Sequence, residues 1–231
     1  MSIFRFKEFK IIQEKSAMKV GTDGVLLGSW ASCKNCKKIL DIGCGTGLII
    51  LMLAQRNTTS NIIGIEIDKI ASQEAQLNIT NSDWKERIEI KNTSLQKFNT
   101  KIKFDLIVSN PPFFAQNNSK QRRDIARRTN KLSFYQLINN AANLLAERGT
   151  FSVIIPRKSE EYFCKMAAYK KLYINRVCHI KGNAISEVKR VMIEFSFIKS
   201  EVITEQLTIE KSRHEYTDKY IQLCKDFYLK M

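Results

Sequence analysis

Three short stretches of this sequence carry residue types whose spacing could do chemistry on a small ligand and on an amine. The first is Asp41-Ile42-Gly43-Cys44-Gly45-Thr46-Gly47, with three glycines at alternate positions after an apolar run. There the backbone has to turn tightly and admit a ligand without Cβ atoms in the way. With Leu at position 48 the spacing misses the Gly-x-Gly-x-x-Gly of a dinucleotide turn, and no Lys-Ser/Thr pair follows to make a phosphate loop. The second is Glu66, about 20 residues further on at the end of the next apolar run, where a carboxylate can accept both hydroxyls of a ribose. The carboxylate of Asp41 suits an ammonium group. A turn framed by these two acids makes chemical sense for S-adenosylmethionine, which offers an ammonium and a ribose.

The third stretch, Asn110-Pro111-Pro112-Phe113, ends another apolar run. Two consecutive prolines cannot extend a strand ladder, and they fix the loop. An exocyclic amine conjugated to a ring is a poor nucleophile, so its lone pair must be aimed at an electrophilic methyl carbon while growing positive charge is stabilised. The Asn110 side-chain oxygen and the Pro111 carbonyl can accept the two amine hydrogens, with Phe113 stacked on the ring. No strong base is needed, because the amine becomes acidic only as methylation proceeds, and the chain has only two His.

For these stretches to meet, the elements around them must deliver them to one edge. Strands are expected over 4–12, 37–42, 61–67, 87–91, 104–109, 149–155, 172–180, 190–198 and about 202–209. Helices are expected from Thr22-Asp23, which offers an N-cap, and over 48–56, 133–147, 158–171 and 217–229; Asp68 caps another running to about residue 81. Alternating strands and helices imply an α/β fold, a mainly parallel sheet with helices on both faces and ligands at the carboxyl ends of the strands. The strands 172–180 and 190–198 follow one another through the turn at Gly182-Asn183, so they should pair antiparallel.

The 231 residues, 44% hydrophobic and 26% charged, with nine Gly and three Pro, exclude collagen, low-complexity disorder and a disulfide miniprotein. One domain spanning 1–231 is expected, with 1–31 as a front extension. A formal charge of +15 favours a polyanionic partner such as nucleic acid. No stretch reads as an export signal or a membrane anchor, so a cytoplasmic protein with thiols in place of disulfides is expected. Cys33-x-x-Cys36 invites a zinc reading, but no second ligand pair stands at a regular spacing and His179 and His214 are isolated, so no metal is expected.

Taken together, residues 41–47, Glu66 and 110–113 resemble class I S-adenosylmethionine-dependent amino-methyltransferases. The stretch Met18-Lys19-Val20-Gly21-Thr22-Asp23-Gly24-Val25-Leu26-Leu27-Gly28 narrows this, as do the opening Phe-x-Phe-Lys-x-Phe, Arg122 to Arg127, and Asp226-Phe227-Tyr228-Leu229. Over essentially its whole length the chain resembles the bacterial tRNA (adenine-N6)-methyltransferases that act on position 37 of a valine tRNA. The resemblance implies a Rossmann-like fold with a seven-stranded, mainly parallel sheet and an antiparallel strand near the C-terminus. It also implies S-adenosylmethionine as donor, bound by Asp41, Gly43, Gly45, Gly47, Glu66 and Asn110, with Lys19, Thr22 and Asp23 folded over it. Where the family usually has an acid for the donor adenine, this sequence has Ser94, whose hydroxyl can accept from the adenine amine. Asn110, Pro111, Pro112 and Phe113 would be the catalytic group.

Between the proline motif and the next helix, residues 116–131 hold Lys120, Arg122, Arg123, Arg127, Arg128 and Lys131 against one acid, Asp124. This reads as a phosphate-contacting segment for tRNA, acting in a monomer. An anticodon-loop adenosine is already unpaired, which lowers the cost of presenting it. The same Asn-Pro-Pro geometry would also serve guanine N2 in rRNA, adenine in DNA or a glutamine amide. A noncatalytic RNA-binding factor is the reading from another class.

Overall fold

The computed structural model describes residues 2–112 and 132–231. Phe113, Lys120, Arg122, Arg123, Arg127 and Arg128 lie outside the described residues. A nine-stranded sheet runs in the order β11-β10-β8-β9-β7-β6-β3-β4-β5. Its members are β3 (Lys38–Ile42), β4 (Asn61–Glu66), β5 (Ile88–Asn92), β6 (Phe104–Ser109), β7 (Leu145–Pro156), β8 (Tyr173–Asn183), β9 (Val188–Ser196), β10 (Ile203–Ser212) and β11 (Glu215–Tyr216). The run from β5 across to β8 is the expected seven-stranded pattern, parallel except for β9, which is antiparallel to both β7 and β8. The count of seven is corrected to nine. β10 adds to β8 in parallel and β11 folds back on β10, because Leu207 buries itself in the cluster that holds Tyr220, Cys224 and Phe227.

Each sheet face carries its own core, as a parallel sheet buried on both sides requires. On one face α1 (Thr22–Trp30), α2 (Leu48–Arg56), α3 (Lys69–Thr80) and α6 (Asp218–Cys224) cover Ile39, Leu106, Val108, Ile154 and Met192. On the other, α4 (Phe134–Leu144) and α5 (Glu160–Tyr169) cover Leu40, Ile107, Phe151, Val153 and Phe195. In β3, β4, β7 and β9 the buried residues divide between the two clusters by alternate position, so the pleat distributes them.

Local differences from the sequence expectations have physical causes. Residues 4–12 form a hairpin, β1 (Ile3–Arg5) with β2 (Lys10–Ile12), because the Phe6 amide bonds to the Phe9 carbonyl and the chain reverses at Lys7-Glu8. Thr22-Asp23 does not cap α1; Gly21 stands at the N-cap and the Asp23 carboxylate is used elsewhere. The helix after the basic segment stops at Leu144, where the chain joins β7 by pairing Leu145 with Phe104. Ser133 and Gln136 close a reciprocal capping box at its start. The last helix ends at Cys224, short of residue 229.

The front segment is anchored to the sheet's helices. Asn78 on α3 accepts from the Ile12 amide at 2.8 Å, donates to the Ile12 carbonyl at 3.0 Å and donates to the Thr46 carbonyl at 2.9 Å. Glu74, one turn earlier, accepts from the amides of Lys15 and Ser16. One helix face therefore holds both the front segment and the glycine loop.

Gly149 is buried where the β6–β7 register shifts, and a Cβ built there would stand 2.7 Å from the Phe104 carbonyl oxygen. Backbone cannot swing aside as a side-chain tip can. Gly149→Ala should lower the unfolding free energy by about 1–3 kcal/mol, seen as a lower urea midpoint with an unchanged slope. A wild-type midpoint would show that the junction adjusts freely.

Candidate functional site

The carboxyl ends of β3, β4, β5 and β6 open on a cavity of about 650 Å³. β3 runs out at Ile42, and the amides of Gly43 and Cys44 both bond to the Ile65 carbonyl, at 2.9 and 3.1 Å, so the turn is pinned to the end of β4. Gly43, Gly45 and Gly47 all have positive φ, at 73°, 55° and 84°. Side-chain-bearing residues adopt such angles at a cost. Gly43 and Gly45 line the cavity, whereas Gly47 is the N-cap of α2 and faces Ala75 and Ile79 of α3. Its place is in the packing beneath the cavity.

Glu66 holds the loop from the other side. One carboxylate oxygen accepts from the Gly45 amide at 2.9 Å and the other from the Asp68 amide at 2.8 Å, with the side chain at the cavity wall. Asp68 caps α3 by accepting from the Ala71 amide. The Thr93 amide and the Asn92 side chain in turn bond to the Glu66 carbonyl, which fixes the start of the segment Thr93-Ser94-Leu95-Gln96 along the same wall.

Asn110, Pro111 and Pro112 follow β6 and line the cavity. Buried Ser109 donates its hydroxyl to the Ile42 carbonyl at 2.9 Å, locking the end of β6 to the end of β3. The start of α1 closes in from the opposite side, and Gly24 permits this approach. A Cβ there would stand 3.0 Å from Leu48 Cδ2 and 4.0 Å from the Asn110 amide nitrogen.

Lys19, Thr22, Asp23 and Ser94 also line the cavity. The Lys19 ammonium is held by the carbonyls of Gln13 and Glu14, and Gln13 accepts from the Val20 amide. Asp23 pairs with Arg190 on β9 at 2.7 Å. Asp41 stands apart: it is wholly buried, is absent from the lining, and neither carboxylate oxygen has a hydrogen-bond partner among the described residues. Burial, and secondarily the charge of Glu66, pushes its carboxyl up to about 8.

Residues that the sequence analysis missed are Arg190, Cys44 and Gln96 in the lining. The signal for Arg190 was present, since a strand antiparallel to its neighbours brings its first residue to the edge where theirs end. A second hollow, of about 670 Å³, lies around Cys33, Cys36, Arg56 and Arg176. Its strongest charges are already committed. Arg56 donates to the Gly28 and Ala31 carbonyls, while Arg176 pairs with Glu205 and lies 4.2 Å from the Trp30 ring centroid. Asn57 donates to the carbonyls of Cys33 and Cys36 and so braces the turn between them, and burial pushes the Cys36 thiol up to about 12.

Residues 16–172 fit the methyltransferase small domain model. Over 99% of its length the chain is 46% identical to the whole of the tRNA1(Val) (adenine(37)-N6)-methyltransferase of Flavobacterium psychrophilum. The chain belongs to this family. A second member, from Pseudoalteromonas translucida, is 41% identical over the full length of both chains. Among solved structures, P. horikoshii TYW2 in complex with MeSAdo superposes with a TM-score of 0.61 at 14% identity, covering 84% of this chain and 70% of that one, which shows the shared fold.

Because the folded chain keeps a proton on Asp41 from about pH 3.8 to about 8 while the unfolded chain has released it, stability should fall as pH rises through that window. Asp41→Asn removes the titrating group. Urea unfolding as a function of pH should then show a shallower decline than wild type, and identical slopes would place the titration elsewhere.

Proposed function

We propose that this chain transfers a methyl group from S-adenosylmethionine to the N6 amine of an adenosine in tRNA, the adenosine at position 37 of a valine tRNA. The observation that carries the reading is Asn110-Pro111-Pro112 locked through Ser109 to the glycine turn, on the cavity that Glu66 walls. The names of full-length relatives 41–46% identical to this chain supply the nucleotide and the tRNA. A tRNA substrate supports the reading of a cytoplasmic protein.

The residues present fit the donor. Glycines at 43 and 45 leave their Cβ directions open, with no atom within 4 Å. Glu66 spends one lone pair of each oxygen on a backbone amide, and a carboxylate oxygen has further acceptor capacity for a ribose hydroxyl. Asp41 lies buried behind the turn as a protonated carboxyl without a hydrogen-bond partner among the described residues, and an ammonium above the loop would favour its ionised form. Ser94 stands beyond Glu66 on the β5 side, where the adenine would lie. Lys19, Thr22 and Asp23 cover the cavity from the front.

When bound, the donor supplies an electrophilic methyl carbon. The chain's own part is orientation. The Asn110 side-chain oxygen and the Pro111 carbonyl accept the two amine hydrogens, aim the nitrogen lone pair and stabilise the positive charge that grows there. Phe113 and the arginine-rich segment 116–131 keep the roles read from the sequence, stacking on the base and contacting phosphates.

Methylation assays on total tRNA, rRNA, DNA and protein, followed by nucleoside mass spectrometry, should show N6-methyladenosine in tRNA alone. Label in guanine N2 or in glutamine would replace the proposed acceptor. Asn110→Ala should cut turnover about a hundredfold or more while S-adenosylmethionine affinity stays near wild type. Glu66→Ala should instead weaken donor binding by about 1–3 kcal/mol, the scale for hydrogen bonds to a charged acceptor. Calorimetry separates the two, and near-normal turnover in Asn110→Ala would remove it from the reaction.

A further inference from the structure

Two charged residues on the cavity lining come from opposite ends of the sequence. Asp23 opens α1, Arg190 is the third residue of β9, and they pair at 2.7 Å with both side chains between one quarter and about one third exposed. Arg190 also donates to the Lys189 carbonyl at 3.2 Å.

Strand order decides which ligand this guanidinium serves. The residues that fit the donor stand at the ends of β3, β4 and β5, on one side of Asn110 at the end of β6. Arg190 lies the other way. It sits on β9 opposite Pro156 of β7, and β9 stands two strand positions from β6, about 10 Å at the usual spacing of neighbouring strands. A donor held by Ser94, Glu66 and the glycine turn would occupy the β3–β5 side of the cavity. The β7–β9 side would then be left for the acceptor. A nucleotide presenting its base amine at Asn110 from that side would meet Arg190 on the same lining.

We infer that Arg190, braced by Asp23, receives the phosphate of the nucleotide that presents its base to Asn110. The inference rests on the nucleic-acid reading of the site and adds a substrate-contacting residue to it. A planar guanidinium with five donors serves several acceptors at once and matches phosphate geometry. Asp23 holds it by its Nε atom, so its orientation is set before the substrate arrives. The surface continues the same charge, with exposed Lys158 two residues after Pro156 and exposed Lys189 beside Arg190. Asp23, assigned to the donor by resemblance, becomes the brace for the acceptor contact.

The test is equilibrium binding of unmodified valine tRNA at several salt concentrations, together with methylation kinetics and S-adenosylmethionine calorimetry. It compares wild type, Arg190→Ala, Arg190→Lys, and Lys34→Ala/Lys101→Ala as a charge control from the opposite edge. Arg190→Ala should raise the tRNA KM about tenfold or more and reduce the log–log salt slope by about one, with donor affinity unchanged. Arg190→Lys should recover the slope but only part of the KM, since the charge returns without the fork. The control should lose less affinity than Arg190→Ala although it removes more charge. A fall in donor affinity, an unchanged KM and slope, or losses matched by the control would each overturn the inference. Wild type that neither binds nor methylates tRNA would overturn the proposed function as well, so the two failures are distinguishable.

Discussion

The Glu66 carboxylate, with one oxygen on the Gly45 amide and the other on the Asp68 amide, is the joint on which this structure turns. It ties the turn after β3 to the start of α3, and α3 carries Asn78 and Glu74, which hold the front segment. A single carboxylate thus links the floor of the cavity to the piece of chain that covers it. Hydrogen bonds to a charged acceptor are about twice as strong as neutral ones, so the linkage is stiff without large buried area. On the proposed reading the ribose-binding group and the loop-holding group are the same atoms.

A second constraint is repulsive. Asp41 lies wholly buried behind the loop with no partner of its own among the described residues, and the charge of Glu66 adds to the cost of ionising it. A buried unpaired carboxyl costs stability. Such cost is commonly found where a ligand completes the site, and a cation over the glycine turn would favour the ionised carboxyl. On the opposite flank the Asp23–Arg190 pair has the reverse character, an ion pair satisfied within the protein. On the proposed reading its guanidinium faces the acceptor and the Glu66 carboxylate faces the donor.

Much of this was legible in the sequence because the decisive positions are local. Glycines at alternate positions after an apolar strand, an acid at the next strand end and a proline pair at a third each declare a turn by their own backbone chemistry, and strands β3 to β6 came out within a residue or two of their expected limits. What could not be read was set by distant partners. Asp23 looked like a helix cap until β9 delivered Arg190 to it across the fold. Residues 4–12 alternated like one strand, yet a hairpin through Phe6 and Phe9 buries both rings, stacked at 4.6 Å. Gly47 looked like its two neighbours, but packing against α3 separates it from the cavity. β10 was legible as a strand over about 202–209, but its place outside β8 needed α6 before its apolar side had anything to cover.

The central claim is that Glu66 bonds a ribose while holding the loop, and a thermodynamic cycle addresses it directly. S-adenosylhomocysteine and its 2′,3′-dideoxy analogue would be titrated into wild type and Glu66→Ala by calorimetry. If the carboxylate accepts from the ribose hydroxyls, removing them costs wild type affinity and costs the variant almost nothing, leaving a coupling energy of about 1–3 kcal/mol. If both proteins lose the same affinity on going to the dideoxy ligand, Glu66 serves the loop alone and the ribose contact lies on another residue.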